Sequence, residues 1–233
     1  WSSTYSVQDG SYFGFSLCSQ IPRTIPWDIS PILWVTHVGN WTEGCMDSLA
    51  CNYNPEVNLA DGSCTYPELG YDCEGNITAQ IGDVMECGIV FYLDETGKHG
   101  LVAAMEDLVI YEWGCYGTNI LGADGQAIGT GYQNTLDIVA GCSGTNMAAF
   151  NALSSTIEGY TDWYLPSLEE LQEMYNTIGN GGPEGSIDDF ENHWYWSSSE
   201  DDYNRAWVVS FSDGGSYSSN KSTADRVRVI RAF

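Results

Sequence analysis

Tyr195-Trp-Ser-Ser-Ser-Glu200 and the C-terminal Arg226-Val-Arg-Val-Ile-Arg-Ala-Phe233 are the two stretches that decide the fold of this chain. Between and around them, aromatic and apolar residues recur in a pattern typical of β-structure. The positions in between are almost entirely Ser, Asp, Asn, Tyr, Thr and Ala. Tyr offers rigid contact area, and Ser and Asn offer adaptable hydrogen bonds. The pattern therefore predicts a β-frame that carries a ligand-binding surface.

The residues of this predicted surface divide into anchors, polar contacts and frame. Tyr203 and Tyr217 are the expected aromatic anchors. The expected polar contacts are Asp201, Asp202, Asn204, Ser210, Ser212, Ser216, Ser218, Ser219, Asn220, Thr223 and Asp225. The expected frame residues are Trp196, Ala206, Trp207, Phe211, Gly214, Lys221 and Phe233. We expect the partner to be a protein or a glycan on another cell or surface.

Upstream of this segment the sequence predicts a hairpin and three helices. Residues 88–93 and 100–104 read as strands around a turn at 94–97, and residues 111–131 read as a long loop. Helices are predicted over 133–140, over 146–157 with Thr145 as N-cap, and from Ser167, where Ser-Leu-Glu-Glu fits a capping box. From residue 194 the pattern returns to strands, and one strand is expected to carry both Val227 and Phe233. This order of elements predicts an α+β fold.

The segment 44–76 differs in character, because turn-forming residues and four cysteines dominate it. Such a small module needs cross-links to stay folded. Cys45, Cys51, Cys64 and Cys73 allow three disulfide pairings, and the sequence does not choose among them. The oxygen-bearing side chains of Asp47, Asn52, Asn54 and Asp61 suit calcium, although the same residue types also form Asx turns. Before this module, residues 1–43 form an unassigned β-rich segment, with 32–37 as a plausible strand.

Charge and cysteine content restrict the class of protein. The formal net charge is −25, so nucleic acid and anionic membrane surfaces are unlikely partners. Eight cysteines suggest disulfides and hence a secreted or cell-surface location. The sequence contains no run of 18 apolar residues, so it predicts no transmembrane segment. The chain begins at Trp1, so we expect either that a signal peptide was removed or that the sequence is a fragment.

Residues 81–233 resemble a bacterial domain family named after the C-terminal domain of a collagen-like adhesin. The resemblance rests on these stretches: 88–92, 113–115, 128–131, 159–167, 170–171, 195–200 and 226–231. It implies a C-type-lectin-like fold whose second small sheet carries the ligand surface. Cys87 departs from the family, which is expected to have glycine beside Gly88. Residues 44–76 resemble a cysteine-containing spacer repeat of secreted marine bacterial proteins.

The final segment is also similar to the variable region of proteins diversified by retroelements. In those proteins, unfaithful copying of adenines scatters Asn codons to Asn, Ser, Tyr, Thr and similar residues. Positions 201–204, 210, 212, 216–220 and 222–225 hold nearly that set, and Lys221 fits an expected frame lysine. The alternative is an ordinary polar loop region within the same family.

The sequence also bears on three other functions. The chain could be a structural subunit of a surface fibre or sheath, in which residues 1–43 contact a neighbour. It could also be a copper-dependent cysteine oxidase of the formylglycine-generating type, with Cys115 and Cys142 as its pair, although a structural disulfide between them is favoured. Calcium-dependent sugar binding lacks its Glu-Pro-Asn or Gln-Pro-Asp motif. We therefore expect a binding protein rather than an enzyme, and the sequence leaves monomer and homo-oligomer both open.

Overall fold

The computed structural model of the chain describes residues 40–183, 185–187 and 190–233. The strand predicted at 32–37 lies outside these residues. The described strands are β1 Glu43–Gly44, β2 Leu59–Ala60, β3 Val84–Met85, β4 Gly88–Leu93, β5 Gly100–Ala104, β6 Leu108–Glu112, β7 Trp194–Glu200, β8 Arg205–Ser210, β9 Ser216–Asn220, β10 Ala224–Val227 and β11 Ile230–Ala232. The described helices are α1 Gly131–Gly141, α2 Ala148–Leu153 and α3 Leu168–Thr177.

Two sheets organise the described part of residues 79–233. One has the strand order β11-β5-β4-β3, and the other has the order β6-β10-β7-β8-β9. The predicted hairpin is confirmed as β4 and β5, which pair in antiparallel register. Strands and helices are therefore arranged as an α+β fold, with the C-terminal strand β11 paired to β5.

The turn between β3 and β4 explains the departure at Cys87. Met85 pairs with Gly88, so Glu86 and Cys87 form a two-residue loop. Both have positive φ angles, 51° for Glu86 and 62° for Cys87. A two-residue turn with positive φ at both positions is type I′, which favours glycine. The left-handed backbone would suit the glycine that the resemblance led us to expect, and this chain has a disulfide-bonded cysteine there instead.

The prediction of one continuous C-terminal strand is wrong. Strand β10 ends at Val227 and pairs with β6 and β7, whereas β11 begins at Ile230 and pairs with β5 in the other sheet. Arg228 marks the change of sheet, because its buried guanidinium donates from Nη1 to the Ala104 carbonyl at 2.7 Å. The alternation of faces survives the break, since Val227 and Val229 enter one apolar cluster and Ile230 enters the other.

All three predicted helices are present, but their bounds match the predictions to different degrees. Helix α1 is confirmed, and it extends a little beyond 133–140 at both ends. Helix α2 is shorter than predicted at both ends, because Met147 is the extended N-cap residue and Ser154 is the C-cap. Helix α3 begins as predicted, since the Ser167 hydroxyl accepts from the Glu170 amide and the Glu170 carboxylate accepts from the Ser167 amide.

Two apolar clusters lie on opposite faces of the five-stranded sheet. Trp196 enters the cluster that also contains Trp113, Trp163 and residues of α1 and α2. Tyr195, the neighbouring residue, enters the cluster built with α3 and Phe211. Because successive strand residues point to opposite faces, the Tyr-Trp pair fixes one aromatic ring in each half of the core.

The cysteine-rich segment has two disulfides, which settle the pairing that the sequence left open. Cys45 is joined to Cys64 and Cys51 to Cys73. The segment also contacts the following strands, because the Tyr71 hydroxyl donates to the Glu86 carboxylate at 3.1 Å. Glu86 in turn accepts from the Arg231 guanidinium at 2.6 Å. The segment is therefore attached by polar contacts to both β3–β4 and the C-terminal strand.

We predict that Ser167→Ala lowers the free energy of unfolding by about 1–2 kcal/mol, because it removes the N-cap acceptor of α3. The Ser167 hydroxyl also donates to the Ala127 carbonyl at 3.0 Å, and the variant loses this link between α3 and the loop as well. Urea unfolding at pH 7 measures the change. Ser212→Ala on the exposed turn is the control and should leave the midpoint unchanged; equal midpoints for the two variants would contradict the capping role.

Candidate functional site

Three buried serines of β7 attach the frame to the rest of the fold. Ser197 donates from its hydroxyl to the Trp207 carbonyl at 2.8 Å, within the sheet. Ser198 donates to the Pro166 carbonyl at 3.1 Å, and Ser199 donates to the Gly125 carbonyl at 2.6 Å. All three are fully buried, and each satisfies its buried hydroxyl by donating to a backbone carbonyl. Small hydroxyl residues therefore hold β7 against both the 113–130 loop and the start of α3.

The Glu200–Lys221 ion pair fixes the end of β7 to the turn after β9. Lys221 is fully buried, and its Nζ contacts the Glu200 carboxylate and donates to the Thr118 carbonyl at 2.9 Å. The same carboxylate accepts the Ile120 amide at 2.9 Å, and the Lys221 Nζ lies 4.6 Å from the centre of the Trp113 ring. A buried charge pair is stable only when its remaining hydrogen-bonding groups are also satisfied, which these contacts achieve.

The turn at 201–204 is ordered by its own side chains. One carboxylate oxygen of Asp202 accepts the amides of Asn204 at 2.8 Å and Arg205 at 2.9 Å. The other accepts two guanidinium bonds from Arg205, at 3.0 and 2.9 Å. The Asn204 amide and then the Arg205 guanidinium hold the pKa of Asp202 below its ordinary value. Asp201 accepts from the Ser218 hydroxyl, so the turn is also linked to β9.

The opposite end of the β8–β9 hairpin carries a stacked aromatic pair. The Trp194 and Tyr217 rings lie 5.6 Å apart at an interplanar angle of 15°. The Tyr217 hydroxyl donates to Asp213 at 3.1 Å, and this bond to the carboxylate raises the pKa of the Tyr217 phenol. Strand β9 has five residues, so the two ends of the hairpin are about 15 Å apart. The exposed side chains therefore form a strip along an edge strand.

Ten of the thirteen predicted contact residues are at least partly exposed along this strip. Those ten are Asp201, Asp202, Tyr203, Asn204, Ser212, Ser216, Tyr217, Ser218, Asn220 and Thr223. Ser210, Ser219 and Asp225 are buried, which corrects their assignment as surface contacts. Strand alternation is the physical reason, because Ser210 and Ser219 share a face with the buried Ala206 and Val208.

The frame residues follow the prediction more closely. Trp196, Ala206, Phe211 and Lys221 are fully buried, while Trp207 and Phe233 are half-buried. The Asp225 carboxylate lies beside the Ser219 hydroxyl at 3.3 Å, under the sheet rather than on it. Burial raises the pKa of Asp225, and the charge of nearby His193 opposes that shift.

The sequence predicted the loop at 111–131 but not that this loop adjoins the strip. The Gly117 amide donates to the Tyr203 carbonyl at 2.8 Å, and the Gly114 amide donates to the Lys221 carbonyl at 3.3 Å. The exposed Tyr116 therefore lies between the 201–204 turn and the turn after β9. The only signal in the sequence was the Trp-Gly-Cys match at 113–115, which indicated a family and not a position.

Cys115 and Cys142 form a disulfide with their Cα atoms 5.6 Å apart. It joins the 113–130 loop to the C-cap residue of α1. This bond supports the structural interpretation of the pair over a copper-binding one. The disulfide therefore has the same effect as the Lys221 contacts, since both fix the loop to neighbouring elements.

The four residues predicted to bind calcium make local hydrogen bonds. Asp47 accepts the Leu49 amide and the Tyr66 hydroxyl, and Asp61 accepts the Ser63 amide. Asn52 and Asn54 likewise accept amides, from Thr65 and Glu56. Among residues 40–183, 185–187 and 190–233, no group of three His, Cys, Asp or Glu side chains is placed to hold a metal ion. The bonds of Asp47, Asn54 and Asp61 to the amide two residues on fit Asx turns, whereas Asn52 bonds across the segment to Ser63 and Thr65.

The comparisons with known proteins bear on the segment that carries this strip. The family model described as the Lcl C-terminal domain matches residues 114–231, about half of the chain. This chain belongs to the Lcl C-terminal domain family. The matched range includes the three helices, both turns of the strip and all of the 113–130 loop except its first residue. The Lcl C-terminal domain therefore contains every exposed residue of the predicted contact set.

Two further comparisons give little beyond this family. No curated protein matches the chain. Among solved structures, a fimbrial protein from Bacteroides ovatus is similar at 14% identity and a TM-score of 0.42, over 75% of this chain and 51% of that one. The chain thus corresponds to about half the length of that protein. Within the part of the chain that the structure covers, no helix is long and apolar enough to cross a membrane.

We predict that Lys221→Met lowers the free energy of unfolding by about 3–5 kcal/mol, because Glu200 then keeps a buried charge without its partner. The double variant Glu200→Gln/Lys221→Met should recover part of this loss, since no unpaired charge remains. Arg205→Met removes an exposed cation and serves as control, with little effect expected on the urea midpoint. A Lys221→Met midpoint equal to that of Arg205→Met would contradict the structural role of the pair.

The buried Asp225 predicts a pH dependence of stability. Its pKa in the folded protein is raised above the ordinary 3.8. The neutral carboxyl therefore contributes to the free energy of unfolding at low pH, and this contribution is lost as pH rises through the raised value. Asp225→Asn should therefore gain stability relative to the unmodified protein between pH 3.5 and 7. Asp213→Asn should do the reverse, because hydrogen bonds led by the Gly215 amide lower the pKa of Asp213. Unfolding curves at both pH values test the two signs, and parallel behaviour of the two variants would refute them.

Proposed function

We propose that the chain is an extracellular binding protein whose C-terminal domain, residues 81–233, has a C-type-lectin-like fold and binds a ligand along the β8–β9 strip. Membership of the Lcl C-terminal domain family supports this proposal. Strands β4 and β5 lie before the matched range yet pair with β11, which supports a domain that begins near residue 81. The disulfides support an oxidising, extracellular location.

One observation carries the proposal: at both the 201–204 turn and the turn after β9, a buried residue lies directly beside exposed ones. Lys221 is fully buried, whereas its neighbours Asn220 and Ser222 are exposed. At the other turn, Glu200 is buried and the next residue, Asp201, is exposed. Side chains that contact only solvent and one another contribute little to the stability of the fold, so substitutions at these positions can alter binding without unfolding the protein.

We also propose that this strip is diversified by a retroelement. The exposed positions hold the residue types reachable from Asn codons by adenine substitution, while the lysine that interrupts them is the buried Lys221. Deep sequencing of the gene in a growing population tests this. Substitutions confined to adenines of codons 201–225, with a nearby reverse transcriptase and an adenine-rich near-copy, are expected; a uniform distribution of substitutions would refute it.

The other candidate functions have less support. The Cys115–Cys142 disulfide gives both cysteines a structural role, which removes the feature that suggested a copper oxidase. A surface fibre subunit would assemble through contacts with neighbouring copies. Sedimentation velocity of the purified chain separates a fibre subunit from a binding protein, because the binding proposal expects no concentration-dependent filament.

We predict that two libraries in the same segment behave differently. One library randomises the exposed Asp201, Tyr203, Ser218, Asn220 and Thr223; the other randomises the buried Ser210, Ser219 and Asp225. Displayed on yeast, the first should keep most clones folded, with melting temperatures within a few degrees of the original. The second should lose most folded clones, because polar side chains of other sizes do not fit the core.

Selection on immobilised lysozyme and on mannan then tests binding itself. The exposed-position library should yield binders with changed partner choice, and the buried-position library should not. Broad unfolding of the exposed-position library, or failure to yield any binder, would count against the proposed surface.

A further inference from the structure

We infer that Tyr116 and Leu121, which lie outside the predicted contact segment, form a fixed apolar anchor of the ligand surface and that the partner is a protein with a cationic surface. The inference rests on the proposed binding function and names the kind of partner. It starts from an unusual exposure: Leu121 is 96% exposed, and Tyr116 and Tyr203 are 55% and 54% exposed. Exposed apolar side chains that cluster mark protein interaction sites more often than scattered ones do.

The contacts of the loop bring these side chains to one place. The Gly117 amide bonds to the Tyr203 carbonyl, so Tyr116 and Tyr203 flank a single hydrogen bond. Gly114 bonds to the Lys221 carbonyl, and the Thr118 carbonyl accepts from the Lys221 Nζ. Tyr116 is thus held between the 201–204 turn and the turn after β9, at the centre of the exposed residues on that end of the strip.

Leu121 is held at the same end by a tight turn. The Ala123 amide bonds to the Ile120 carbonyl at 3.2 Å, and Gly122 has φ 93°, as the third residue of a type II turn requires. Both ends of the turn contact Glu200, since its carboxylate accepts the Ile120 amide and its own amide donates to the Ala123 carbonyl at 2.7 Å. Leu121 therefore projects beside Asp201, the next residue after Glu200.

The rigidity of this anchor favours binding. The loop is fixed by the Cys115–Cys142 disulfide, by the buried Lys221 and by the Glu200 contacts. A loop whose backbone is already ordered loses little conformational entropy when a partner covers it. Apolar and aromatic residues on such a fixed loop can serve every version of the strip, while the exposed polar positions around them determine which partner is bound.

Charge and chemistry indicate the class of partner. Asp201 and Asp202 precede Tyr203 and share Arg205, and the exposed Asp124 follows Ala123, whose carbonyl accepts the Glu200 amide. Carboxylates therefore outnumber cations among these residues at this end of the strip. The whole chain has a net charge of −25. A neutral glycan would have to lose water from its hydroxyls against Leu121 without a hydrogen bond in return. A protein surface with apolar and basic residues complements both features.

The test uses binders selected on lysozyme, a cationic protein, from a library that randomises Ser218, Asn220 and Thr223 and keeps Asp201 and Tyr203, with mannan as the neutral glycan. Tyr116→Ser/Leu121→Ser is introduced into each binder, and Tyr66→Ser/Leu49→Ser is the matched control. The control removes the same two residue types, similarly exposed, from the cysteine-rich segment. We expect the first pair to raise the Kd for lysozyme at least tenfold and the control to change it less than twofold. Raising NaCl from 0.05 to 0.5 M should weaken binding several-fold.

Tyr116→Phe/Leu121→Met should retain binding, which separates lost contact from lost folding. Equal effects of the test and control pairs would overturn the anchor while leaving the proposed function intact. Mannan binders that arise as readily, and depend as strongly on Tyr116 and Leu121, would overturn the protein partner. If neither probe gives binders above the buried-position library, the proposed function fails and the anchor fails with it.

Discussion

The buried Glu200–Lys221 pair is the interaction on which the position of the exposed strip depends. Its charges lie at the end of β7 and in the turn after β9, and its remaining hydrogen bonds go to the loop at Thr118 and Ile120. Removing two charges from water costs several kcal/mol each, so the pair is stable only in this one arrangement. The arrangement therefore determines the relative positions of three chain segments that are far apart in sequence.

That constraint explains how chemically interchangeable side chains can share one scaffold. The Asp201–Asn204 turn and the Asn220–Thr223 turn project from positions fixed by Glu200 and Lys221, and Tyr116 projects from the loop between them. Buried serines of β7 add hydrogen bonds to the same loop and to the start of α3. Folding thus relies on residues beneath the strip, and recognition would rely on residues above it.

Two arginines of the C-terminal segment, Arg228 between β10 and β11 and Arg231 in β11, add polar contacts to the apolar packing of the fold. Arg228 contacts Asp107 and the Ala104 carbonyl where the chain changes sheets, and Arg231 contacts Glu86 and Asp162. Through Glu86, Tyr71 of the disulfide-bonded segment joins the same network. A segment whose sequence resembles a spacer is therefore in contact with the domain that it precedes.

The sequence by itself determined the local elements whose causes are local. The hairpin around 94–97, the capping box at Ser167 and the alternating ending around Val227 and Val229 follow from turn chemistry, capping and period-2 patterning. Tertiary structure alone decided which polar residues are exposed, because strand register buries Ser219 and leaves its neighbours Ser218 half-buried and Asn220 exposed. It also decided the disulfide pairing, the change of sheet at Arg228 and the position of Tyr116 beside Tyr203. Each of these depends on contacts between segments distant in sequence, and no local pattern encodes such contacts.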